Sequence, residues 1–317
     1  MPTSIRESGQ SITRGDKMDI GSGETIKKKP KKKRSQFFDI WRRFRRNKMA
    51  MIGLFIVALL ILAAVFADVI APGDKMNPGY DVQNPEHIFQ RPSMKHPFGT
   101  DNFGRDIFAR IIHGSRISLA IGFIVVGIAL VTGTILGSIA GYYGKVADNI
   151  IMRLIDTMLA IPGILLAIAI AAALGPGLFN TMISVGIGAI PSYARIVRAS
   201  VLSLKGLEFV EAARAIGGNN FRIISRHILP NCMAPIIVQA TIGLASAILA
   251  AAGLSFLGIG IQLPIPEWGA MLSAGRRFMR IHPHLCIFPG LAIVTVVLAL
   301  NMMGDGLRDA FDPKLKK

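Results

Sequence analysis

The chain has little acid and almost no cysteine. Aspartate and glutamate number 19 against 36 lysines and arginines, a formal net charge of +17 over 317 residues. No carboxylate falls in the middle of a long apolar run, which argues against a proton relay there, since a relay needs an ionisable group at mid-depth. The two cysteines, Cys232 and Cys286, begin apolar runs that would enter a bilayer from opposite sides. Roughly 30 Å would then separate them, whereas a disulfide needs Cα atoms within about 7 Å. The pair is excluded, and both read as packing residues. Nucleotide chemistry is missing as well. The phosphate-loop pattern G-x-x-x-x-G-K-[ST] fails at both ends, because Ile139 holds the upstream glycine slot and Val146 follows Gly144 and Lys145. Lacking the backbone cradle and the magnesium-binding hydroxyl, the chain is not expected to hydrolyse ATP. It also has no G-x-S-x-G elbow, zinc ligand set or dinucleotide fingerprint. No catalytic residue, metal or bound cofactor is expected.

What the chain has in quantity is apolar length. Hydrophobic residues make up 51% of it, and the mean hydropathy is +0.49. A soluble core cannot absorb so many long runs, whereas a bilayer takes roughly 20 residues per crossing helix. About six transmembrane helices are expected, at residues 49–70, 117–141, 151–174, 178–194, 232–258 and 286–304, the fourth short and ending near Pro191. The fold class is therefore all-α, a polytopic membrane protein. With the amino terminus inside, the cytoplasmic segments carry 27 of the 36 lysines and arginines, so the positive-inside rule predicts both termini in the cytoplasm. Residues 1–35 read as a basic disordered tail. Residues 36–70 hold an interfacial helix and the first span, and 71–116 an extracytoplasmic loop with a short helix. Residues 117–305 form a core of five spans with a cytoplasmic loop at 199–231, and 306–317 a cytoplasmic tail. The run KKKPKKKR at 27–34 reads as a charge block that sets orientation and touches anionic lipid, not as a nucleic-acid site. No small-residue cleavage pattern follows the first span, so a secretory signal is not expected.

Several local features carry expectations of their own. Phe37, Phe38, Trp41 and Phe44 alternate with arginines before the first span, as in a helix lying at the headgroups. In the outer loop Ile107, Phe108, Ile111 and Ile112 share a helical face, and Gly114 offers a stop. Gly133, Gly137 and Gly141 strip one face of the second span of bulk, which suits either packing within the chain or a seam with a second subunit. Arg153 and Asp156 stand three apart and can pair, and Pro162 should bend the third span. Trp268 suits an interfacial anchor. His282 and His284 flank Pro283, too few ligands for a metal site.

Residues 208–231, EFVEAARAIGGNNFRIISRHILPN, interrupt the apolar runs with a charged helical pattern. Phe209, Ala212, Ala213 and Ile216 recur at i, i+3, i+4 and i+7, one apolar stripe, with Glu208 and Glu211 beside it. Gly217 and Gly218 suit a helix stop, Asn219 or Asn220 a new cap, and Pro230 a second end. Glu211-Ala212-Ala213, three residues, Gly217 and then Leu229-Pro230 resemble the EAA loop of permease subunits in ATP-binding-cassette (ABC) importers. His227 stands where that pattern often has isoleucine, and Ile228 is its neighbour. The block HPFGTDNFGRD at 96–106 and three others, WRRFRRNKMAMIGL, GLSFLGIGIQLPIPEWGAMLSAGR and NMMGDGLRDAFDPKL, resemble the oligopeptide and dipeptide branch of those permeases. The resemblance covers nearly everything from Ser35 to Leu315.

The resemblance implies a type I ABC permease fold in a prokaryotic cytoplasmic membrane. It implies four kinds of partner: a homologous second permease, two ATPase subunits carrying ATP and magnesium, an extracellular substrate-binding protein and a peptide substrate. Residues 208–217 would then be the coupling helix, with Glu208, Phe209, Glu211, Ala212, Ala213 and Ile216 meeting an ATPase groove and Gly217 ending the lever. Relatives that share these blocks carry nickel, glutathione or small oligosaccharides, so the solute stays open. A secondary transporter working alone and a membrane scaffold are the readings from other classes.

Overall fold

Polar side chains fix where the long helices begin. In a computed structural model residues 36–72 and 80–311 are described; the basic run at 27–34, Pro78 and the last six residues lie outside them. Helix α1 covers Gln36–Phe44, and α2 covers Lys48–Val65. Between them Asn47 accepts the Ala50 N–H at 3.1 Å, an N-cap that satisfies an orphan donor. Asp106 does the same for α3, Ile107–Tyr143, accepting from Ala109 N at 3.0 Å. Helices α4 (Lys145–Leu159), α5 (Gly163–Leu174), α6 (Leu178–Leu204) and α7 (Glu208–Ala215) follow, then α8 (Met233–Phe256), α9 (Trp268–Gly275) and α10 (His284–Phe311). Among the described residues there is no strand.

Gly114 does not stop a helix. Helix α3 runs unbroken for 37 residues, about 55 Å at 1.5 Å per residue, so the expected short outer helix is the first turns of the second span. Gly114 is needed for closeness instead: a Cβ there would strike the Pro266 carbonyl and come within 3.1 Å of the Trp268 ring. Trp268 is correspondingly not an interfacial anchor. It is 1% exposed, and its indole N–H donates to the Ile111 carbonyl at 3.1 Å.

The glycine ladder of α3 faces its own chain. A Cβ on Gly133 would lie 2.6 Å from Tyr193 Cβ, and one on Gly141 2.9 Å from Val201 Cβ. Helix α6 therefore occupies the groove, which decides for packing within the chain over a seam with a second subunit. Helix α6 also continues through Pro191 to Leu204, well past the expected end at 194. Its last turns carry Arg195 and Arg198. Arg198 grips Asp148 of α4 with two bonds of 2.5 and 2.6 Å, and Arg195 reaches Asp156 at 2.8 Å. Asp156 thus pairs across helices rather than with Arg153 three residues away.

Pro162 breaks the third span more sharply than a bend. With no N–H of its own and with Ile161 pushed toward extended geometry, α4 and α5 meet at 88°. Among the described residues four helices are long and apolar enough to cross a membrane, or five if that broken pair counts as one span. Helix α6, with two arginines in its last turns, is not among them. At the other end of the chain Phe44 leaves the expected headgroup face: it is buried beside Ala50 and Ala310, while Phe38 and Trp41 stay exposed.

The block at 96–106 folds as a hydrogen-bonded knot. Asp101 accepts from the backbone N–H groups of Phe103 and Arg105, and from Arg105 Nε at 2.7 Å. Arg105 also reaches Asp81 at 3.1 Å, and His96 bonds Asp106 at 2.7 Å. Buried Arg110 donates to the carbonyls of Tyr80 and Pro264 at 3.0 and 3.2 Å, tying the knot to the loop before α9. His282 stacks on Phe89, with ring centroids 4.4 Å apart, and His284 is buried.

Candidate functional site

Eight residues make a short helix that needs help to persist, since isolated helices of that length are marginal. Helix α7 receives it at both ends. Glu208 and Glu211 stand in the first turn and Arg214 in the last, each with the favourable sign for the helix dipole. At its far end the N–H of Gly218 bonds Ala213 O and that of Gly217 bonds Arg214 O, both at 3.0 Å. That pairing closes a helix through a left-handed residue. Gly217 is that residue, with φ +83°, and nothing crowds its missing side chain. Backbone conformation alone calls for glycine there. Asn219 then caps the next turn by accepting Arg222 N–H at 2.8 Å.

Packing supplies the rest. Val210, 0% exposed, and Ala213, 5% exposed, sit with Val197 and Val201 of α6 and with Ile223, Ile228, Cys232 and Ile236 around the start of α8. Before Pro230 the hydrogen bonding of Ile223–Ile228 widens to a π-helical turn, an adjustment common at functional sites. Ile228 is fully buried in this cluster. It fills the apolar role that His227, half-buried, does not.

The sequence stripe divides here. Ala213 turns inward, so it cannot also line a partner's groove. Phe209, Ala212 and Ile216 turn outward, with Phe209 38% and Ile216 87% exposed. Glu208, Glu211 and Gly217 are exposed beside them. Val210 was missed because a helix this short carries two overlapping apolar faces, and periodicity does not say which one is buried. Tyr142, at the end of α3, is a second missed residue. Its hydroxyl donates to Asn220 Oδ1 at 2.9 Å, and the Arg214 guanidinium lies 6.0 Å from its ring centre. Lys205 Nζ donates to Gly141 O at 3.0 Å close by. No motif marks Tyr142; only the fold brings it to α7. The ends of α3, α6 and α8 thus meet on one small helix, whose other face is bare.

Deeper in the bundle a cavity of about 260 Å³ opens between α3, α5, α6 and α8. Its wall includes Gly163, Gly188, Ser192, Tyr193, Gln239 and Gly243, with no charged side chain.

Among the described residues the body is helical, with four or five helices long and apolar enough to cross a membrane and one short helix bare on its outer face, which points to the class of multi-pass membrane proteins. Residues 133–317 match the model of the binding-protein-dependent transport system inner membrane component, and residues 35–92 match that of the N-terminal transmembrane domain of oligopeptide transport permease C. The chain belongs to this family of ABC-importer permeases and is a multi-pass protein of the inner membrane. It is 52% identical to the dipeptide transport system permease protein DppC of Alkalihalophilus pseudofirmus, over 89% of this chain and 91% of that protein. It is 50% identical to the glutathione transport system permease protein GsiD of Escherichia coli, over 91% and 94%. Among solved structures it resembles the inward-facing MetNI methionine ABC transporter (TM-score 0.52, 20% identity, 65% of this chain and 98% of that one). An amino acid ABC transporter with histidines gives a TM-score of 0.50 at 15% identity, over 63% and 94%. At those identities the likeness is one of fold.

Proposed function

We propose that this chain is one of two permease subunits of an importer for di- and oligopeptides, and that α7 is its coupling helix. In this reading a homologous second permease completes the path, and two ATPase subunits carrying ATP and magnesium sit below it. An extracellular binding protein delivers peptide. The termini and α7 lie on the cytoplasmic side. ATP binding closes the ATPases around α7, the helix moves as a lever, and the bundle opens outward; hydrolysis resets it. The lever shifts the equilibrium only by the difference in affinity of the two bundle states for nucleotide-bound ATPases.

The observation that carries this reading is the two-sidedness of α7. Val210 and Ala213 weld it to α6 and α8, while Phe209, Ala212 and Ile216 leave an apolar face uncovered. An uncovered apolar face on a helix so firmly seated suits a groove in another protein. Peptide as solute is supported by the identity to the dipeptide permease, and the similar identity to the glutathione permease keeps that tripeptide as the alternative solute. The test is reconstitution of the chain with its partner subunits and labelled dipeptide. ATP-dependent uptake that vanishes without the ATPases is expected. Uptake driven by an ion gradient through this chain alone would instead assign a secondary transporter.

A further inference from the structure

At the end of the bundle remote from α7, acids and bases do not balance. Helix α8 separates the two ends by 24 residues, about 36 Å. There most of the described carboxylates are already committed, exposed Glu86 being the exception. Asp101 and Asp81 hold Arg105, Asp106 holds His96 and caps α3, and buried Glu267 accepts the N–H groups of Gly269 and Ala270 at 2.9 and 2.7 Å. Arg276, Arg277 and Arg280 remain exposed. No ion pair among the described residues includes them.

Two of these arginines line a cleft of about 280 Å³, whose other walls include Asn102, Phe103, Ile261 and Leu263. Its other side-chain polar groups are partly engaged within the chain. Ser273 donates to Phe256 O at 3.1 Å and Gln262 to Gly258 O at 2.8 Å, while Ser255 Oγ already accepts Ile261 N–H at 3.1 Å. Open donor capacity in the cleft therefore sits on Arg276, Arg277, Asn102 and the second amide N–H of Gln262. Arg276 is also steered, its guanidinium 5.2 Å from the centre of the Phe256 ring, an arrangement that holds the planar donor fork in place. Asn102 and Phe103 stand on the knot that Asp101 ties, so the facing wall is fixed.

We propose that this cleft is a carboxylate-binding site that takes the free C-terminal carboxylate of an entering peptide. The inference rests on the peptide-import reading. Guanidinium forks match a carboxylate with two parallel hydrogen bonds, and the cleft, at about 280 Å³, falls just under the roughly 300–1,000 Å³ of ligand pockets. It has room for a terminal residue rather than a whole peptide. The apolar walls take the terminal side chain without selecting a charge.

The test is the pair of variants R276Q/R277Q and R276K/R277K in the complete reconstituted importer, supplied with saturating binding protein loaded with Ala-Ala. Both arginines are exposed, and membrane yield and gel-filtration profile check the fold. For R276Q/R277Q uptake is expected to fall about tenfold, the size of one lost charge-assisted contact, with affinity for unloaded binding protein retained. Partial recovery is expected in R276K/R277K. Full uptake by R276Q/R277Q overturns the site. So does a loss accompanied by equally weakened docking of unloaded binding protein, which would give the arginines to acidic side chains of that partner. If the parental importer itself moves no Ala-Ala, the peptide reading fails first and the cleft falls with it.

Discussion

Ile216→Ala and Val210→Ala should produce opposite defects, although the two residues stand within two turns of one helix. Ile216 is 87% exposed and Val210 is 0% exposed. Truncating Ile216 removes nothing from the folded chain, so its stability should stay within about 0.5 kcal/mol of the parent. Fully burying an isoleucine side chain against a partner is worth about 1.5–3 kcal/mol, and alanine forfeits most of that. At 1.4 kcal/mol per tenfold, affinity for the ATPases should fall roughly 5- to 30-fold. Val210→Ala instead opens a hole among Val197, Val201, Ile223 and Ile228. A loss of about 1–3 kcal/mol is expected from lost burial and cavity together. The assay measures two quantities on each purified variant, the thermal midpoint in detergent and the affinity for ATPase subunits by titration. Ile216→Ala should move only the second, and Val210→Ala should move the first. If Ile216→Ala binds ATPases as the parent does, the outward face is not the docking face and the argument fails.

Three further perturbations bear on the same framework. Gly217→Asp forces a carboxylate-bearing residue to φ +83°, costing about 1–2 kcal/mol of local strain; insertion should persist while peptide uptake per ATP hydrolysed drops, read from paired uptake and ATPase rates. Tyr142→Phe removes the 2.9 Å bond to Asn220 but keeps the ring beside Arg214, so uptake per ATP should fall two- to fivefold, by the roughly 0.5–1 kcal/mol of a net hydrogen bond; an unchanged ratio would show that the bond transmits nothing. Burial raises the Glu267 carboxyl above its ordinary 4.5, against the lowering by its bonds to Gly269 and Ala270. The folded chain therefore holds that proton to higher pH than the unfolded chain does, and stability falls as pH rises from about 4.5 until the raised value is passed. Glu267→Gln keeps a side-chain acceptor and should flatten that slope in thermal midpoints measured across the window.

The sequence exposed the long apolar runs, the helix stop at Gly217 and the cap at Asn219 because each has a local cause: burial demand, a left-handed backbone, an orphan N–H. It misjudged Gly114 because a glycine needed for closeness to Trp268 and one needed for a stop look alike in one dimension. Pro191 misled in a similar way, since α6 tolerates it inside a packed bundle. Asp156 found Arg195 instead of Arg153 because a partner on another helix cannot be seen from spacing. The divided stripe of α7 has the same origin: Val210 and Phe209 are adjacent and both apolar, and only the positions of α6 and α8 decide which one is covered. The cleft at Arg276 joins three separated segments and was legible only after folding.

The most direct test of the lever is a cross-link. In a chain whose two native cysteines are replaced by serine, Ile216→Cys should form a disulfide with a cysteine in the groove of the ATPase within the assembled importer. The yield should change when ATP is added, and a membrane-impermeant thiol reagent should reach the residue only from the cytoplasmic face. Labelling from the external face, or no cross-link in either nucleotide state, would contradict the account.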